Sequence, residues 1–211
     1  MLDYAEYLKI WVGLLAILNP IGAIPVFISI TADESPAQRN RTVHLVAVGV
    51  LLILLVAFFF GEWTLRLFGI SIDSFRVGGG ILVLLMAISM LQAKPSSVKQ
   101  TDEEVNESIE KESVAIVPLA MPLLAGPGAI SAVILAAHNS SSVVDYLIVS
   151  MGILLLSLLV WGALRTAPWI AERISATAIN IFTRIMGLIL AAIAVEFIAG
   201  GMKSLFPPLA G

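Results

Sequence analysis

The sequence predicts an all-α integral membrane protein of six transmembrane helices. They form two inverted three-helix repeats, with helices 1 and 4 broken. Three observations predict this. Of 211 residues, 59% are hydrophobic and only 13% are charged, against about 45–50% and about 25% in soluble domains. Six stretches approach the ~20 mostly apolar residues that a membrane helix needs. Two of those stretches carry proline- and glycine-rich interruptions at matching places.

A chain with a mean hydropathy of +0.99 cannot cover a soluble surface with polar groups. Its net charge of −3 offers no basic face for nucleic acid. It has no cysteine, so disulfides, thiolate metal sites and thiol catalysis are excluded. Two histidines are too few for a zinc or haem centre. No Walker A motif is present to drive the chain by ATP. No cofactor and no metal are expected.

The spans, in order, are residues 7–30, 43–60 (extending toward 68), 77–93, 114–137, 143–164 and 178–201. The first is not a cleaved signal: it is too long, lacks a basic start, and is interrupted by Asn19-Pro20. Short connections join the spans, except at 94–112, where three lysines and six acids sum to −3. That segment reads as a solvated linker between a first repeat, 1–93, and a second, 113–211, within one membrane domain. Connections one, three and five hold eight of the twelve Lys and Arg residues. The positive-inside rule then places these connections in the cytoplasm and both termini outside.

The two halves echo each other. Asn19-Pro20-Ile21-Gly22-Ala23-Ile24-Pro25 matches Ala125-Gly126-Pro127-Gly128-Ala129-Ile130-Ser131, 106 residues later. Phe75-Arg76-Val77-Gly78-Gly79-Gly80 echoes Thr183-Arg184-Ile185-Met186-Gly187-Leu188, 108 residues later. Each half holds three spans. An odd number makes the second half enter from the opposite side, the inverted topology typical of secondary transporters.

Pro20 and Pro25 fall inside span one, and Pro118, Pro122 and Pro127 inside span four. Each proline removes a backbone donor and clashes with the preceding turn. Unsatisfied backbone in hydrocarbon costs several kcal/mol per group. Such breaks persist where protein or a polar cavity re-satisfies them, and paired breaks point to a transport site. Asn19, Pro20, Gly22 and Pro25 are therefore the candidate substrate-binding set from one half. Gly126, Pro127, Gly128 and Ser131 are the set from the other. A half-helix start suits a carboxylate, and freed carbonyls suit an ammonium group, a sodium ion or a protonated water. A zwitterionic amino acid matches both ends.

Ionisable groups within the spans are few. Arg76 and Arg184 open spans three and six at equivalent places. They either snorkel to the interface or point inward as charge partners. Glu196 is the acid inside span six. It could carry a coupled proton, neutralise Arg76, bind a substrate ammonium, or sit at the outer interface. Ser29, Ser89, Ser131 and Ser157 line a path or bridge helices. Glu62 and Arg66 read as a surface i, i+4 pair. His44 and His138 are expected near opposite membrane faces, too far apart to share a centre.

The two break sequences, Leu18 to Phe27 and Pro122 to Ser131, together with Phe75-Arg76-Val77-Gly78-Gly79-Gly80, resemble the paired signatures of the MarC family. That family includes the SnatA amino-acid transporters and lies in the LysE-type superfamily. Length and six-span layout are similar over essentially the whole chain. The resemblance implies a multi-pass inner-membrane protein. It further implies transport of small neutral amino acids such as glycine or alanine, driven by an ion gradient of protons or sodium. The expected partners are that small molecule, membrane lipid and a second copy of the chain. The alternatives are an exporter of another small solute or drug, and a channel. An intramembrane enzyme requires a catalytic pair at depth, and the sequence offers none.

Overall fold

The computed structural model describes residues 2–92, 120 and 124–206. Every regular element among them is helical: α1 (Tyr4–Leu18), α2 (Ile24–Ile30), α3 (Pro36–Leu67), α4 (Ile72–Leu91), α5 (Pro127–Asn139), α6 (Val143–Arg165), α7 (Ala167–Arg173) and α8 (Ala176–Leu205). Four of the described helices, α3, α4, α6 and α8, are long and apolar enough to cross a membrane, with mean hydropathies of 1.9 to 2.9. The chain is an all-α, multi-span membrane protein. The linker expected at 94–112, and Pro118 and Pro122 of the fourth span, lie outside the described residues.

Side-chain caps set the helix starts. Asp3 and Glu6 form a capping box at α1, as do Ser35 and Gln38 at α3 and Ser142 and Asp145 at α6. Ser71 and Ser175 cap α4 and α8. Each cap satisfies amides that the first turn leaves free. For this reason α3 begins at Pro36, well before the apolar stretch at 43. Its 32 residues run about 48 Å at ~1.5 Å per residue, longer than a hydrocarbon core of about 30 Å. Its polar first turns therefore stand outside that core. Similarly, α4 starts at Ile72 and α8 at Ala176. Arg76 and Arg184 thus fall inside these helices, in the second and third turns, rather than at their openings.

In each candidate span, at most 39% of the apolar window is buried. The other faces carry Leu52, Val56, Phe60 and Trp63 on α3, and Leu147, Leu155, Leu158 and Leu159 on α6, all exposed. In water such faces would be untenable; against lipid tails they are the expected surface. The buried core joins Leu14, Ile17 and Leu18 of α1 to Phe27 of α2, Leu54 and Phe58 of α3, Met86 of α4 and Ile153 of α6.

The most extensive contact is between α4 and α8. These helices run antiparallel, because Gly201 faces Asp73 and Val77 while Gly187 faces Ala87 and Met90 at the other end. Between them, Gly80 abuts Ala194, Phe197 and Ile198. Small residues let the backbones approach closely, which is how membrane helices gain packing without a hydrophobic drive. Helices α3 and α6 are also antiparallel. Near one end Trp161 Nε1 donates to His44 Nδ1 at 3.1 Å. Near the other, the rings of Phe58 and Tyr146 lie 5.3 Å apart. Helix α5 packs on α3 and α4, and α1 packs on α5, α6 and α8.

The α4–α8 contact gives a direct stability test. A Cβ on Gly187 would lie 2.9 Å from Met90 Cβ and 3.1 Å from the Ala87 carbonyl oxygen, so a larger side chain must separate the helices. Gly187→Val is expected to cost about 1–3 kcal/mol by overpacking, read as a lower midpoint of thermal denaturation in detergent. Gly162, with open space around a Cβ, is the control: Gly162→Val should leave the midpoint essentially unmoved.

Candidate functional site

The first interruption is built by Asn19 and the proline after it. Asn19 adopts a left-handed conformation, φ 45° and ψ 60°, and its N–H donates to the Leu15 carbonyl at 2.9 Å. Asparagine is one of the few side chains that tolerate this backbone, and a residue in it commonly ends a helix. Pro20 then cannot continue the ladder. The Asn19 side chain folds over the gap, Oδ1 accepting from Gly22 N at 3.3 Å. Helix α2 starts at Ile24 with Pro25 in its first turn, where a missing donor costs little. Gly22 leaves no room for a side chain: a Cβ there would collide with the Asn19 amide and lie 2.9 Å from Thr183 Oγ1 of α8. Asn19 is 6% exposed and Pro20 is buried, whereas Gly22 is half-buried and Pro25 exposed.

The second interruption precedes α5. Ala125 N donates to the Ala120 carbonyl at 2.9 Å, a five-residue step wider than an α-turn. Gly126 is extended (φ −75°, ψ 178°), caps α5, and is followed by Pro127 at the first helical position. The Gly126 carbonyl accepts from Ala129 N and Ile130 N. Gly128 lies under Met86 of α4, with Sδ 2.8 Å from where a Cβ would be. Ser131 is 3% exposed, its Cβ pressed on Gly79. Both breaks thus rest against the α4–α8 pair, one on each partner.

A crevice of about 650 Å³ opens between α1, α5 and α8. Its polar groups are Glu6 and Lys9 of α1, Arg76 of α4, Asn139 of α5 and Glu196 of α8. Its body is apolar, and along α1 it extends to Ile17, two positions before Asn19. From Glu6 to Ile17 is about 16 Å of helix at ~1.5 Å per residue. The structure therefore brings Arg76 and Glu196 to one cavity. Neither Arg184 nor any of the eight break residues lines it. Arg184 is exposed on α8, although its neighbour Thr183 touches the first break. Glu6, Lys9, Asn139 and Thr183 were not singled out in the sequence. Lys9 is among the four Lys and Arg residues outside connections one, three and five, and the role of the others depends on which helices become neighbours.

Several other polar residues have hydrogen-bond partners outside the crevice. Ser89 and Ser157 donate to carbonyls four residues back in their own helices, Leu85 and Ile153. Arg66 reaches Glu62 at 2.9 Å as the spacing predicts, and His138 Nδ1 lies 3.3 Å from the same carboxylate. His44 meets Trp161 eighteen positions back along α3 from Glu62, so the two histidines sit at opposite ends of the bundle. Asp145, fully buried, accepts from Tyr7 Oη at 2.5 Å, Leu2 N at 2.9 Å, Ser141 N at 3.0 Å and Ser142 N at 2.9 Å. It ties the start of α1 to the start of α6. Among the described residues no group of three or more His, Asp or Glu could hold a metal ion.

Comparison with known proteins covers nearly the whole chain. The family description "MarC family integral membrane protein" matches residues 4–206. The UPF0056 membrane protein YhcE of Escherichia coli (strain K12) is 45% identical over 207 residues, spanning 98% of this chain and 96% of that one. The UPF0056 membrane protein MJ1677 of Methanocaldococcus jannaschii is 38% identical, over 96% and 98% of the two chains. The UPF0056 membrane protein YvbG of Bacillus subtilis (strain 168) is 35% identical over 98% of each. No solved structure matches.

Proposed function

Because the chain belongs to the MarC family of integral membrane proteins, we propose that this multi-pass inner-membrane protein is a secondary transporter of small neutral amino acids. It works by alternating access between two inverted three-helix repeats and is driven by an ion gradient. In this reading, α1–α2, α3 and α4 form the first repeat. The second comprises the segment ending in α5, then α6, then α7–α8. The substrate is held where the interruptions at Asn19, Pro20, Gly22 and Pro25 and at Gly126, Pro127, Gly128 and Ser131 expose backbone groups. Arg76 and Arg184 act as charge partners and Glu196 as the coupling residue.

The observation that carries the reading is the direction of the paired helices. Two repeats related by inversion must place equivalent helices antiparallel. Both equivalent pairs, α3 with α6 and α4 with α8, run antiparallel. The interruptions fall at corresponding places in the two halves, as expected of a site between repeats. The crevice between α1, α5 and α8 leads toward the first break and stops short of it, so access from that side requires movement of α1 or α8. A transporter that exposes its site alternately has such a barrier in every state.

The test is counterflow in liposomes. With unlabelled alanine or glycine inside, labelled substrate outside should accumulate transiently above equilibrium. Arg76→Ala with Arg184→Ala should abolish the overshoot. A persistent overshoot in that variant removes the arginines from the cycle. A large flux without counterflow makes the protein a channel, and no uptake of any small amino acid overturns the substrate.

A further inference from the structure

The crevice between α1, α5 and α8 carries charges that the packing leaves open. The Arg76 guanidinium lies over Gly200, its Cζ 2.9 Å from where a Cβ on that glycine would stand. Glu196 precedes Gly200 by four residues, one helical turn on the same face. A guanidinium and a carboxylate therefore stand about one turn apart on a single wall. Among the described residues neither makes an ion pair. Opposite, Glu6 and Lys9 contribute one further charge of each sign to the rim, with Asn139 beside them. The rim holds two acids and two bases, so it favours neither a net anion nor a net cation. Below it the walls are apolar, from Gly13, Leu14 and Ile17 to Ala192 and Ile193. The crevice as a whole, about 650 Å³, is typical of small-molecule pockets, so a side chain larger than that of glycine or alanine has room against these walls.

We infer that this crevice is an outer binding site for a zwitterion with an apolar body, of the size of leucine or methionine. Arg76 takes the carboxylate, Glu196 takes the ammonium, and the apolar walls below take the side chain. The inference rests on the transporter reading, because it supplies the solute with a first station on the way to the break. It extends that reading to larger substrates. The apolar part fits the walls by area burial. The two charged ends each find a charge-assisted partner that makes no ion pair among the described residues. A free amino acid and the zwitterionic headgroup of a membrane lipid share this chemistry, and the experiment separates them.

The experiment measures equilibrium binding of labelled leucine to the full-length protein in nanodiscs of phosphatidylglycerol, with competition by three analogues. Leucine and methionine should compete. Leucinamide, which lacks the carboxylate, and 4-methylpentanoate, which lacks the ammonium, should each be at least about tenfold weaker, the loss of one charged hydrogen bond. Arg76→Gln should erase the discrimination against leucinamide alone, and Glu196→Gln that against 4-methylpentanoate alone. Ala192→Phe, which fills the apolar wall, should remove leucine binding from a folded protein. Equal competition by all three compounds, or no leucine binding at all, overturns the inference. So does phosphatidylethanolamine bound at the crevice, seen by native mass spectrometry, that leucine fails to displace. The two readings fail separately. Leucine binding without any amino-acid flux sinks the transporter. Alanine counterflow without leucine binding sinks this site.

Discussion

Asp145→Ala should lower the midpoint of thermal denaturation in detergent by about 5–10 °C, taking about 2–4 °C per kcal/mol for a chain of this size and the cost of stranding buried donors. The carboxylate is fully buried, and donors from both helix starts converge on it, among them Tyr7 Oη, Leu2 N, Ser141 N, Ser141 Oγ and Ser142 N. Removing it strands these donors and releases the start of α1 from the start of α6. Asp145→Asn keeps the shape and one acceptor oxygen, so it should lose about half as much. Tyr7→Phe deletes only one of the bonds and should lose least. The double variant Tyr7→Phe with Asp145→Ala should fall short of the sum of its parts, because the same hydrogen bond is counted in both. An Asp145→Ala midpoint equal to that of the parent would show that the network carries no stability.

This network also marks where sequence reasoning reaches its limit. Helix α6 could be read almost residue for residue, 143–164 expected against Val143–Arg165 found, because its apolar run starts at the first helical residue, which makes the start a local signal. The end of α1 was legible for the same reason. Asn19-Pro20 breaks a helix through its own backbone chemistry, and the observed left-handed Asn19 is the form that break takes. The beginnings of α3 and α4 were not legible from hydrophobicity. Ser35 and Ser71 start those helices in polar sequence, and apolar counting passes over a cap. The candidate site divides along the same line. Arg76 and Glu196 stood out because charge inside a span is rare, and they share a cavity. Their neighbours Glu6, Lys9 and Asn139 lie at helix ends, where charge is ordinary, and only the packing of α1, α5 and α8 gathers them. Thr183 and Asp145 acquire partners more than a hundred residues away. No local pattern announces such contacts.

Counterflow should fall at least tenfold, more than 1.4 kcal/mol in the rate-limiting barrier, in Gly22→Leu and in Gly128→Leu, with Gly162→Leu unaffected. The argument is one of space. At Gly22 a side chain must displace the Asn19 amide, which covers the gap in the ladder, and press on Thr183 of α8. At Gly128 it must displace Met86, a flexible side chain that yields more readily. At Gly162 there is nothing to displace. The alanine series keeps the prediction testable if leucine prevents folding. Gly22→Ala should reduce flux more than Gly128→Ala, and Gly162→Ala should not reduce it at all. Asn19→Gly added to Gly22→Ala removes the clashing amide while retaining a residue suited to the left-handed backbone. Its thermal midpoint should return toward that of the parent. If flux returns as well, the Asn19 side chain serves only to fill the break. If stability returns without flux, the amide itself belongs to the transport site. Equal flux in all three alanine variants, at equal amounts of folded protein, would remove both breaks from the transport path.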